Sequence, residues 1–96
     1  MRVTFQPAAQ KEMFESVAYY EQKDHGLGSK FLYEIDSTLS LISAYPESGT
    51  LLNAYARRVL LKGFPFGVVY RIYNNQIVIL AIMHLRRKPN YWVKRS

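Results

Sequence analysis

Residues 64–92, FPFGVVYRIYNNQIVILAIMHLRRKPNYW, decide the fold. Two runs rich in β-branched and aromatic residues flank Asn74-Asn75. Asn tolerates the positive φ of a tight turn, so the runs at 66–73 and 76–84 predict an antiparallel hairpin. A two-residue turn sets Tyr73 opposite Gln76, Tyr70 opposite Ile79 and Pro65 near His84. Alternation along each strand then makes two faces. Phe66, Val68, Tyr70, Ile72, Ile77, Ile79, Ala81 and Met83 form one, which reads as core. Gly67, Val69, Arg71, Val78, Leu80, Ile82 and His84 form the other. That second face is too apolar to lie bare in water yet carries an Arg and a His, and it reads as the working surface.

Outward from the hairpin, residues 56–62 read as a further strand, pairing with 66–73 across Gly63-Phe64-Pro65. At the other end, residues 2–6 alternate as a short strand with Val3 and Phe5 inward. Pro7 suits the first turn of a helix. Ala9, Met13, Val17 and Tyr20 then form one stripe, while Glu12, Glu15 and Glu21 lie off it, giving a helix over 8–24 with a wet acidic face. Gly26 ends that helix, and Leu27, Phe31, Ile35, Leu39 and Ile42 mark a second over 28–45, stopped before Pro46. Residues 46–55 read as a loop whose Leu51 and Leu52 tuck under the sheet. The expected fold is α+β: one domain, 1–96, with an antiparallel helix hairpin packed on a small antiparallel sheet in the order βααβββ. Met13, Val17, Phe31, Ile35, Leu39, Val68, Tyr70, Ile79 and Ala81 are the expected buried set. Where the first strand joins the sheet stays open.

Composition narrows the function classes. Ninety-six residues with 49% apolar content support one modest core. There is no cysteine, so disulfides and thiolate chemistry are excluded. No His/Asp/Glu grouping has metal-ligand spacing, and no phosphate-binding glycine motif occurs; no cofactor is expected. The longest apolar run, Ile77–Met83, is too short to span a membrane, and the first residues lack the apolar core of a signal peptide, so a cytoplasmic protein is expected. Charge is unevenly divided. Residues 1–50 hold four basic and seven acidic side chains, a net −3, whereas residues 51–96 hold nine basic and no acidic ones. Such a one-signed half attracts a polyanion or an acidic partner, although a solvated basic face is the plainer reading.

Arg57, Arg58, Arg71, Arg86 and Arg87 are the candidate anion-contacting residues, because a guanidinium fork matches phosphate and carboxylate oxygens. Tyr91 can stack on a base. Trp92 can do the same, or fold back and cover the apolar second face, which better suits so large a ring. His84 can serve as a general acid or base, though a lone His is more often structural and no carboxylate after residue 47 orients it. Val69, Arg71, Val78, Leu80 and Ile82 make an apolar, Arg-rimmed face suited to an acidic amphipathic partner segment.

The AYYEQKDHGLGSKF, RVLLKGFPFGVVYRI and ILAIMHLRRKPNYW strings, in this order of elements, resemble the ParE/RelE superfamily of type II toxins over essentially the whole chain. The F-P-F…V-Y-R-I and A-I-M-H…R-R-x-P-x-Y-W patterns look like its ParE-like branch. The resemblance implies a small toxin neutralised by a cognate antitoxin in a hetero-oligomer with it, and DNA gyrase as target. The alternative is a RelE-like endonuclease that cuts mRNA on the ribosome, for which His84, Arg87 and Tyr91 are the catalytic candidates. RelE-like chains commonly carry an Arg before the central strand's L-V-Y; here that position is Gly67, which favours the ParE-like reading. A non-toxic interaction protein is the third possibility.

Overall fold

A computed structural model describes residues 1–95. The elements are β1 (Arg2–Phe5), α1 (Pro7–Lys23), α2 (Leu27–Ala44), β2 (Thr50–Leu51), β3 (Ala56–Leu60), β4 (Phe66–Tyr73) and β5 (Gln76–His84), followed by a 3-10 turn at Val93–Arg95. The two helices lie on one face of a five-stranded sheet in the order β1-β5-β4-β3-β2. The expected helices and long strands are present within two residues of their expected bounds. Two features depart from expectation. The first strand pairs with β5 in parallel, so the sheet is mixed, and residues 50–51 add a two-residue edge strand inside the expected loop. No helix among the described residues is long and apolar enough to cross a membrane.

Local chemistry explains the turns. Asn74 and Asn75 take φ of 49° and 61°, the left-handed pair that closes the β4–β5 hairpin. Gly26, at φ 89°, precedes α2. Glu21 reaches forward from α1 and accepts the backbone N–H groups of Gly26 and Gly28, satisfying donors that the start of a helix leaves open. These bonds hold its carboxyl below the usual range. Gly28 has a separate reason: a Cβ there would stand 2.6 Å from the Val17 carbonyl oxygen, so only glycine lets α2 approach α1 this closely.

One irregularity rearranges the expected faces. Val69 pairs with Ala81 but Tyr70 pairs with Ile79, so Leu80 is an extra residue in β5. Such a bulge shifts every later side chain by one position. Phe66 therefore faces His84, and Val68 faces Ile82. Ile82 joins the helix-side core with Phe31, Ile35, Val68, Tyr70 and Ile79, and His84 packs against Phe66 on that side. Ala81 and Met83 move to the second face, with Val69 and Leu80. Of the expected buried set, Phe31, Ile35, Val68, Tyr70, Ile79 and Ala81 are buried, while Met13, Val17 and Leu39 are half-buried. Ile72, expected in the core, is exposed at the end of β4, and Leu51 points to solvent rather than under the sheet.

The second face is not a free surface. Trp92, 1% exposed, lies over Ala56, Val69, Leu80, Ala81 and Met83, with Leu52, Tyr55, Tyr91 and Val93 around it. Val69 and Tyr70 are consequently both inaccessible, on opposite sides of the sheet. Exposure therefore does not tell the two faces apart.

Candidate functional site

The C-terminal segment is built around α1. After β5 the chain turns, with the Arg87 N–H bonded to the His84 carbonyl, and Asn90 adopts a φ of 67° to bring it back. Burial of Trp92 anchors this return. It also sets Tyr91 and Arg95 beside Glu12, a residue expected only on a wet helix face.

Glu12 collects five donors. One oxygen accepts Arg95 Nη1 at 2.9 Å and the Ile82 backbone N–H at 3.1 Å. The other accepts the Tyr91 hydroxyl at 2.8 Å, Arg95 Nη2 at 3.1 Å and Arg87 Nη1 at 3.3 Å. Arg95 also donates to the Leu80 carbonyl. The bulge matters here, because the parallel partner β1 ends opposite Ile79 and leaves the next stretch of β5 edge to side chains. The Arg87 guanidinium carbon lies 3.8 Å from the centroid of the Tyr91 ring, and that of Arg95 lies 5.0 Å from it. Burial, then the hydrogen bond to Glu12, push the Tyr91 hydroxyl well above a phenol's ordinary pKa. The hydroxyl is thus a committed donor. Arg86, Lys88 and Lys94 remain exposed around this clamp.

The other candidates divide. Arg57 faces the helix side and donates to the Glu47 and Gly49 carbonyls, pinning the loop before β2. Arg58, paired with Val69, lies on the second face. Its stem crosses Gly67, where a Cβ would come within 2.8 Å of Arg58 Cδ. Arg71 stands near the far end of β4, five residues or roughly 17 Å from Phe66 at the strand rise. His84 is half-buried, and its Nδ1 accepts the Arg86 backbone N–H at 3.0 Å, so the neutral ring carries its proton on Nε2. Arg86, Arg87 and Tyr91 therefore gather at one end of the molecule, and Arg57 and Arg71 lie elsewhere. The expected partner face of Val69, Leu80 and Ile82 is corrected: all three are buried, the first two beneath the chain's own tail and Ile82 in the helix-side core. Val78 and Arg71 are half-buried at its margin.

Beside the clamp runs an open groove of about 520 Å³ between α1 and the end of β5. Glu12, Glu15, Ser16, Tyr19 and Lys23 form its helical wall, and Phe66, Ile82, His84 and Arg87 the other. No motif announced it; it exists because β1 stops short and the bulge turns Ile82 and His84 toward the helices.

The comparisons agree with this architecture. The family described as "ParE toxin of type II toxin-antitoxin system, parDE" matches residues 3–89. Among solved structures, a chain titled "Chromosomal ParDE TA system from P. aeruginosa" is similar, with a TM-score of 0.65 at 15% identity, covering 90% of this chain and 97% of that one. No curated relative matches the sequence. With the family matched over nearly its full length, the chain belongs to the ParE toxins of type II toxin–antitoxin systems.

Proposed function

We propose that the chain is a cytoplasmic toxin that poisons DNA gyrase, held inactive by a cognate antitoxin, and that it is not a ribosome-dependent mRNA endonuclease. The observation that carries the choice is the state of Tyr91. A nuclease needs one group to take the 2′-hydroxyl proton and another to protonate the leaving oxygen. The Tyr91 hydroxyl is tied to Glu12 and resists ionisation. His84 has its Nδ1 lone pair engaged by the Arg86 N–H. Gly67 supplies no cation, and the stem of Arg58 crosses that spot. A poison needs no proton-transfer pair. It needs a fixed basic and aromatic surface to hold a protein–DNA complex, and Arg58, Arg86, Arg87 and Tyr91 provide one. Arg57 and Arg71 lie outside this surface, Arg57 on the loop before β2 and Arg71 at the hairpin end of the sheet.

The antitoxin's task in this reading is to cover that surface and the groove beside it. Acidic side chains suit the Arg86–Lys88 run, and apolar ones suit the Tyr19, Phe66 and Ile82 lining. Growth arrest on induction without antitoxin is the test. Arg86→Ala combined with Arg87→Ala is expected to abolish arrest, and His84→Gln to leave it nearly intact. Loss of arrest in His84→Gln with full arrest in the double variant would reverse the choice.

A further inference from the structure

Arg71 carries a feature that neither the clamp nor the groove uses. It lies opposite Ala56 of β3 and Val78 of β5, at the sheet end nearest the hairpin turn. Its guanidinium carbon is 4.7 Å from the centroid of the Tyr55 ring and 5.0 Å from that of Tyr73. Its Nε is buried and has no hydrogen-bond acceptor; among the described residues no other buried side-chain nitrogen or oxygen is in that state. Ring faces attract the cation but do not replace an oxygen acceptor for a buried N–H.

Among the described residues no carboxylate is paired with Arg71. No Asp or Glu follows Glu47. Glu12, which reaches the basic half from α1, is taken by Arg87, Tyr91 and Arg95. Arg57 has its two carbonyls. Arg71 is thus oriented by two rings, partly removed from water and, among the described residues, without a paired counter-charge.

We propose that Arg71, framed by Tyr55 and Tyr73, is a receptor for a single carboxylate, the Asp or Glu side chain of a partner protein docking at the hairpin end of the sheet. The chemistry favours carboxylate over phosphate. A carboxylate is flat, matches the guanidinium edge with two parallel N–H···O bonds and carries the one charge that one Arg balances. A phosphate would bring further oxygens and charge against Val78 and two aromatic rings, with no second cation on the same rung. Entry requires one wall to give. The Tyr55 hydroxyl is bonded to the Val93 carbonyl at 3.4 Å, whereas Tyr73 ends its strand 55% exposed, so Tyr73 is the ring that swings aside. This site is separate from the surface assigned above to gyrase, and it stands whichever target the toxin has.

The test is an NMR titration of the full-length, ¹⁵N-labelled protein, following arginine Nε–Hε resonances at constant ionic strength. Arg71 is assigned by the peak missing in Arg71→Lys. Glutarate, a small dicarboxylate, is expected to shift the Arg71 peak saturably while the Arg57 peak stays put. Inorganic phosphate is expected to bind several-fold more weakly. Arg71→Lys keeps the charge but not the fork, and is expected to lose the saturable shifts of the Tyr55 and Tyr73 amides. An Arg71 peak that moves no more with glutarate than with chloride, or that binds phosphate more tightly, would overturn the proposal.

Discussion

Glu12 and Glu21 both lie on α1 among residues that alternate with its apolar stripe, and spacing alone marks them as solvated. Their partners lie outside α1, for Glu12 in the distant C-terminal segment and for Glu21 in the adjoining turn. Glu12 meets Arg87, Tyr91 and Arg95 because Trp92 pulls the tail back, and Glu21 meets the N–H groups of Gly26 and Gly28 because the helix hairpin is so tight. No local pattern encodes either contact. Glu21 gives a pH-dependent consequence with a definite sign. Its folded pKa is lowered, chiefly by the Gly26 and Gly28 backbone donors. A group with a depressed folded pKa adds stability above its unfolded value, about 4.3 for Glu, and loses it as pH falls through the folded value. The melting temperature of Glu21→Gln is expected to lie below wild type at neutral pH, and the gap to close as pH drops below about 4. A gap unchanged down to pH 3 would remove Glu21 from that role.

At the level of elements, the two helices, the hairpin and the third long strand were legible because each has a clean period and explicit stops: Pro7, Gly26, Pro46 and Asn74-Asn75. What escaped was the bulge at Leu80. In ILAIM every residue is apolar, so a one-residue insertion leaves the pattern unchanged while exchanging Ala81 and Met83 for Ile82 and His84 between faces. The site inherited that error. Plain alternation puts Ile82 and His84 on the second face, whereas they line the groove on the helix side. The parallel seat of β1 escaped for a different reason, since pairing across more than seventy residues leaves no trace in four. The reading of Trp92 as a cover for the second face is matched by its burial. Removing it uncovers Val69, Leu80, Ala81 and Met83 and frees the tail that carries Tyr91 and Arg95. Trp92→Ala is expected to cost about 3–5 kcal/mol in a denaturant titration. A loss under about 1 kcal/mol would mean that the tail is not part of the core.

Taken as a whole, the molecule turns a division in sequence into a division in space. Five of the seven acidic residues belong to the helices, and the acid-free stretch after Glu47 forms four of the five strands and the tail. Glu12 is the crossing point, a helical carboxylate that fixes two of the basic residues and the tyrosine between them. The surface it holds is cationic, and its tyrosine is poorly able to move a proton, which is the basis for the proposal that it binds a protein–DNA complex rather than cleaving RNA. Purified protein added side by side to a gyrase supercoiling reaction and to translating ribosomes with a defined mRNA tests this most directly. Inhibition of supercoiling by wild type, its loss in the Arg86→Ala, Arg87→Ala double variant, and intact mRNA are the expected results. Ribosome-dependent mRNA cleavage that vanishes in Tyr91→Phe, with supercoiling unaffected, would contradict them.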